Sequence, residues 1–135
     1  MKDPEPGSRA WFEAYLAAFN AGDAASFGSF YDPDLIFEGQ AASLSGREAV
    51  LDFYRLVHSR IDETVELLTF VGSASHCAAE LATTLEPLED WPDFPTGPLK
   101  TGEQRRSVNF AFYDLREGRF ARIRSARYWR EEPGS

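Results

Sequence analysis

The sequence predicts an α+β domain, with three N-terminal helices packed on one face of a mostly antiparallel sheet. Three observations predict it. Apolar residues recur at helical spacing from Trp11 to Val57. Beyond Thr64 the period falls to two, the mark of strands with one buried face. Arg116-Glu117-Gly118 then separates two long alternating runs, as a three-residue turn ending in Gly does when it closes a hairpin through a bulge. Helices followed by a run of strands place the helices together on one sheet face.

Ser8 caps the first helix, whose Trp11, Phe12, Tyr15, Leu16 and Phe19 share one side. Asn20-Ala21-Gly22 ends it, and Asp23 caps a short second helix carrying Phe27, Phe30 and Tyr31. Asp32-Pro33 turns the chain into a short strand from Leu35 to Glu38. Ser45-Gly46-Arg47-Glu48 fits a capping box, with Ser45 as cap and Glu48 folding back to it. That third helix runs to about Ser59, with Val50, Leu51, Phe53, Tyr54, Val57 and His58 on or beside its apolar side. Strands follow at 64–71, 77–85, 105–115 and 119–130. Segment 86–102 holds Pro87, Pro92, Pro95, Pro98, two glycines and Trp91, and reads either as a lid over a cavity or as a long decorated hairpin loop. Residues 8–131 make a single domain, and 1–7 and 132–135 read as flexible tails.

A chain of 135 residues can bury a substantial core, and 43% hydrophobic with 27% charged residues is the balance of a soluble globular protein. A net charge of -8 argues against nucleic acid, whose phosphates favour a basic face. Eleven Phe, five Tyr and three Trp favour an aromatic-lined cavity. The single cysteine, Cys77, rules out an internal disulfide and a thiolate metal cluster, and its apolar neighbours place it in a buried strand. No apolar run approaches the ~18 residues of a membrane span, and the first residues lack a signal-peptide core. The expected location is cytoplasmic, with no membrane partner. His58 and His76 lack metal-site spacing to carboxylates, and no nucleophile elbow, P-loop or dinucleotide fingerprint occurs. No metal or cofactor is expected.

Tyr15, Tyr31 and Tyr54 each lie in a context that points toward one interior. Three converging tyrosines could satisfy one another and leave a donor aimed at a ligand oxygen, or they are unrelated core residues. If Leu115 pairs with Arg119, Ala111 falls opposite Ile123, Asn109 opposite Ser125 and Ser107 opposite Arg127. That face mixes small, polar and apolar groups, as a ligand pocket does. The other face sets Val108, Phe110 and Phe112 beside Ala126, Arg124 and Arg122, which suits a homodimer contact. On strand 77–85, Cys77, Ala79, Leu81, Thr83 and Leu85 make the better core and leave Glu80 toward solvent. His58, four residues after Tyr54, is either a general base or a charge at a helix C-terminus.

The element order resembles the nuclear-transport-factor-2-like (cystatin-like) superfamily, which includes SnoaL-like polyketide cyclases, limonene-epoxide-hydrolase-like enzymes and ketosteroid isomerases. The resemblance rests on Tyr15-Leu16-Ala17-Ala18-Phe19-Asn20-Ala21-Gly22-Asp23, on the stretch from Ser45 to Tyr54, and on Gly118-Arg119-Phe120. It implies a cone-shaped fold, a curved sheet wrapped around a long helix with an internal pocket. It also implies that Tyr15 is the oxyanion-hole tyrosine, with Tyr31 and Tyr54 behind it lowering its effective pKa. In ketosteroid isomerases a carboxylate base moves the proton while a Tyr and a protonated Asp hold the dienolate oxygen. Aligned without a gap, the base position falls on Gly39, with Glu38 on the outward register; a one-residue deletion in the 32–34 turn brings Glu38 into place. Ala111 or Asn109 stands where the protonated carboxyl would be, and Asn109 can donate without any pKa shift. In the epoxide-hydrolase-like pattern an aspartate lies near Ser125, which cannot replace it. Arg127, on the same face, binds an anionic or enolate substrate, or pairs with Glu38 or Glu80.

The function expected is a cofactor-free cyclase or isomerase acting on a small apolar carbonyl substrate by enolate stabilisation. Tyr15, Asn109 and either Glu38 or His58 would be catalytic. Tyr31, Tyr54, Phe19, Phe37, Trp91, Ala111, Ile123, Ser125 and Arg127 would surround the substrate. The rival readings are a non-catalytic lipophilic-ligand domain and a dimeric structural module. Proton transfer loses its base if none of Glu38, Glu80 and His58 reaches Tyr15, and a filled cavity favours the structural module.

Overall fold

Helix α1 (Arg9–Asn20) starts where its cap predicts, with Ser8 Oγ accepting from the Trp11 N–H at 3.2 Å. This computed structural model describes residues 3–40 and 42–131; the tail expected at 132–135 lies outside them. Helix α2 (Ala24–Gly28) is capped by Asp23, and strands β1 (Tyr31–Glu38) and β2 (Ser43–Ser45) follow. Helix α3 (Arg47–Arg60) leads into β3 (Ile61–Gly72), β4 (His76–Pro87), β5 (Arg105–Arg116) and β6 (Arg119–Arg130). The sheet order is β2-β1-β6-β5-β4-β3, with β1 and β6 parallel and the other neighbours antiparallel. The mixed α+β architecture is the one expected from the sequence.

Three residues have no cross-strand partner in otherwise regular ladders: Leu68 on β3, and Ala121 and Tyr128 on β6. Each is a bulge, and bulges bend a strand and increase its twist. The curved inner face packs against α1, α2 and α3 through Phe12, Phe27, Tyr31, Leu35, Val50 and Phe120, all at most 1% exposed. Asn20 ties the end of α1 to the middle of β3. Its side chain donates to the Val65 carbonyl at 2.9 Å and accepts from the Val65 N–H at 2.8 Å. No helix among the described residues is long and apolar enough to cross a membrane.

Several local expectations change. Tyr31 does not close a helix; α2 stops at Gly28, and Tyr31 opens β1 with Asp32-Pro33 inside the strand, where the pairing with β6 shifts register. Ser45 is the last residue of β2 rather than a cap, and no capping box forms. Gly46 takes the N-cap position at φ 93°, which an L side chain resists. The β5–β6 turn is two residues long, with Arg116 opposite Arg119 and both Glu117 and Gly118 at positive φ, the signature of a tight I′ hairpin. That turn shifts the register by one residue and the bulge at Ala121 by a second, so Ala111 faces Ser125 and Asn109 faces Arg127, two residues from the expected register. An even slip leaves each side chain on its expected face, because side chains alternate with period two. The segment before α1 also departs from a frayed tail. Gly7 is buried, and a Cβ on it would sit 1.9 Å from the Ser73 carbonyl oxygen.

Candidate functional site

The inner face of the sheet and the helices above it enclose a cavity of about 170 Å³. One water needs roughly 10–15 Å³ of such space, so the cavity has room for several waters or a small ligand. Its apolar wall comes from Leu16 and Phe19 of α1, Phe37 of β1, Phe53 and Val57 of α3, and Leu81 and Leu85 of β4. Phe19 and Phe37 are where the sequence places them. So are Ala111, Ile123, Ser125 and Arg127, which alternate inward on β5 and β6.

The tyrosines form one cluster, and it contains a member the sequence reading missed. Tyr15, Tyr54 and Tyr113 line the cavity, whereas Tyr31 lies behind it, fully buried. Tyr15 and Tyr31 hydroxyls are 2.7 Å apart. Among the described residues Tyr31 has no other partner, so a fully satisfied arrangement has Tyr31 donating to Tyr15. Tyr15 then keeps its own proton for the cavity. Burial pushes the Tyr15 phenol well above its usual range; the hydrogen bond from Tyr31 works in the opposite direction, and the Glu63 carboxylate adds to the rise. The hydrogen bond from Tyr31 thus acts in the expected direction, but desolvation outweighs it and the net shift is upward. Burial likewise raises Tyr31, Tyr54 and Tyr113, each of which also feels Tyr15. Tyr15 is a neutral donor at physiological pH.

Neither Glu38 nor Glu80 is inside, and for Glu80 that is the expected orientation. Leu35 and Phe37 point inward on β1, so Glu38 points outward, where it takes two hydrogen bonds from Arg122 at 2.7 and 3.0 Å. Gly39 falls on the cavity wall, as the ungapped alignment implies. Glu80 is also on the outer face, bound to Thr69 at 2.8 Å and to the Tyr128 hydroxyl. His58 is not on the wall, but it lies between the cavity and the helix end, flanked by the rings of Phe19 and Tyr54.

The carboxylate on the wall is Glu63, which the sequence reading passed over. It occupies an inward position of β3 between Ile61 and Val65, with its side chain 15% exposed. His58 Nε2 lies 3.2 Å from Glu63 Oε1, across the junction of α3 and β3. The missed signal was the alternation Ile61-x-Glu63-x-Val65-x-Leu67, a single acid in an otherwise apolar inward row. Starting the strand at Thr64 hid it.

Asn109 lines the cavity and donates to Ser125 Oγ at 2.9 Å, which leaves its second amide hydrogen and the Ser125 proton for a ligand. Trp91 does not reach the cavity. It packs with Val57, Ile61, Phe94 and Leu99 in a satellite core, under the Arg60 guanidinium at 4.1 Å. The 86–102 segment still touches the site, through Phe94 and Thr96. Among the described residues no three His, Cys, Asp or Glu side chains gather as a metal site requires.

No curated protein matches the chain significantly. Solved structures do. A candidate polyketide cyclase from Pseudomonas putida superposes with a TM-score of 0.68 at 26% identity, over 85% of this chain and 86% of its own. A candidate polyketide cyclase from Silicibacter sp. reaches a TM-score of 0.76 at 19% identity, over 93% and 92%. An LEH-like epoxide hydrolase from M. tuberculosis gives 0.69 at 14% identity, over 86% and 78%. The SnoaL-like domain family matches residues 12–123, from α1 into β6, and the chain belongs to that family, within the nuclear-transport-factor-2-like superfamily.

Proposed function

We propose that the cavity catalyses proton transfer at a carbon next to a carbonyl in a small, mainly apolar substrate, the step that isomerases and cyclases share. The observation that carries this reading is Glu63, the carboxylate on an apolar wall that also bears the Tyr15 hydroxyl. A carboxylate in low dielectric, held by one histidine contact, is a positioned base. Glu63 removes the proton, and Tyr15, backed by Tyr31, donates to the oxygen on which negative charge develops. Asn109 and Ser125 supply further donors from β5 and β6. His58 touches Glu63 rather than the cavity, so it is a positioning residue, holding the carboxylate toward the substrate. The modest cavity, below the roughly 300–1,000 Å³ of drug-sized pockets, favours a one- or two-ring ligand.

The names of the neighbours support the reaction class only through the cyclases; epoxide hydrolysis is a different reaction. Two are described as candidate polyketide cyclases and one as an epoxide hydrolase. The test uses 2-tetralone, a bicyclic ketone with acidic C–H bonds, and follows its exchange in deuterated buffer by proton NMR. The protein should accelerate exchange, and Glu63→Gln should remove about 10²–10⁴-fold of that acceleration. Exchange that survives Glu63→Gln sinks the assignment. Tight binding of the ketone without any exchange would make the domain a binder.

A further inference from the structure

Away from the tyrosines, the inner face of β5 and β6 turns cationic. Asn109 is opposite Arg127, Ser107 is opposite Arg130, and Arg105 is the next inward position along β5. Antiparallel partners share a face, so these three arginines lie side by side, at the end of the hairpin far from its turn. The chain around them carries a net charge of -8. Arg105 and Arg127 line the cavity itself.

Their partners are unusual. Arg60, Arg106, Arg116, Arg122 and Arg124 each pair with a carboxylate. Arg105 instead binds neutral oxygens of the 96–98 loop: the carbonyls of Pro98 at 2.7 Å, Gly97 at 3.2 Å and Thr96 at 3.5 Å, and Thr96 Oγ1 at 3.4 Å. Arg127 and Arg130 make no side-chain ion pair among the described residues; the Arg127 contact to Gln40 is through its backbone N–H. Burial lowers the Arg105 pKa, Arg130 and Arg127 lower it further, and exposed Glu103 opposes them. Clustered cations in a half-buried site are unfavourable unless an anion joins them.

We propose that the substrate carries a carboxylate, which Arg127 and Arg105 hold at this end of the cavity with Arg130 strengthening the field. The guanidinium fork matches a carboxylate in a way an ammonium does not. An apolar body then spans the Phe19, Phe37 and Tyr54 walls, with its carbonyl at Tyr15. This placement of the reacting end rests on the proton-transfer reading; the anion site does not.

The test compares 3-phenylpropanoate with 3-phenylpropanamide, one shape with and without charge, by isothermal titration calorimetry on the full chain. The wild type should bind the acid at least about tenfold more tightly than the amide, as a charge-assisted pair provides. Arg127→Gln should lower the ratio several-fold with a smaller loss of amide affinity, and the remaining amide binding reports an intact cavity. Arg130→Gln should lower the ratio less. Equal binding of acid and amide by the wild type, failure of the acid to bind at millimolar concentration, or a ratio unaffected by Arg127→Gln overturns the proposal. Binding is read without turnover. Exchange of 2-tetralone without carboxylate preference would therefore sink the anion site alone, and preference without exchange the proton-transfer reading alone.

Discussion

Replacing Tyr15 by Phe removes one hydroxyl and strands another. Tyr31 is fully buried, and its hydroxyl has Tyr15 as its partner at 2.7 Å. Tyr15→Phe should therefore cost about 1–3 kcal/mol of stability, the penalty for an unsatisfied buried donor. Tyr31→Phe leaves Tyr15 on the cavity wall with solvent in reach, and should cost about 0.5–1.5 kcal/mol. The double variant removes both polar groups and should be no less stable than Tyr15→Phe, giving a coupling energy of at least about 0.5–1.5 kcal/mol. Urea denaturation followed by tryptophan fluorescence reads all four corners of the cycle. The same proteins separate structure from chemistry, because Tyr15→Phe should also lose about 2–4 kcal/mol of transition-state stabilisation in the exchange assay. Tyr31→Phe should lose less. Equal, additive stability losses would refute the hydrogen-bond assignment, and unchanged exchange in Tyr15→Phe would refute its role as donor.

Two further outcomes follow from burial and from the outer face. Tyr15, Tyr31, Tyr54 and Tyr113 all have folded pKa values raised above the ordinary tyrosine value near 10. The stability of these neutral phenols is fully present below about pH 10 and lost as pH rises from there toward the folded values, because the unfolded chain ionises first. Apart from the exposed Tyr128, tyrosinate absorbance near 295 nm (roughly) should thus appear together with unfolding rather than before it; a titration of more than one tyrosine in the still-folded protein would contradict the burial. We also propose that the outer face joins two copies of the chain. Val71, Phe110, Phe112, Tyr128 and Trp129 are exposed there, and Phe110 stacks on Tyr128 at 4.4 Å. Analytical ultracentrifugation at micromolar concentration should find a dimer, and Phe110→Glu with Phe112→Glu should give a monomer; a wild-type monomer would count against the contact.

Much of this architecture is legible in the residues because period-two alternation survives errors of register. The expected pairing of Ala111 with Ile123 is displaced by two positions, yet Asn109, Ala111, Ile123, Ser125 and Arg127 still face the cavity. Other features depend on contacts between elements, which periodicity does not encode. His58 and Glu63 are five residues apart across a helix-to-strand reversal, a spacing that belongs to neither period. Tyr113 follows Ala111 on the inward parity of β5, so it was available to the same reasoning that selected Asn109. Ser45 misled because a capping motif competes with strand pairing, and β2 pairs Ser45 with Ile36. Glu38 is outward simply because Phe37 is inward.

The bulges at Leu68, Ala121 and Tyr128 have a consequence for how such a cavity could be resized. Phe120 faces inward, Arg122 outward and Ile123 inward, so deleting Ala121 would restore strict alternation without moving any side chain to the other face. What would go is the local bend. In this sheet the chemistry of the chamber is set by which residues occupy the strands, while its diameter is set by how many extra residues the strands carry. A shorter β6 would keep the same inventory of groups around a narrower bore, and a longer one would admit bulkier ligands to unchanged machinery.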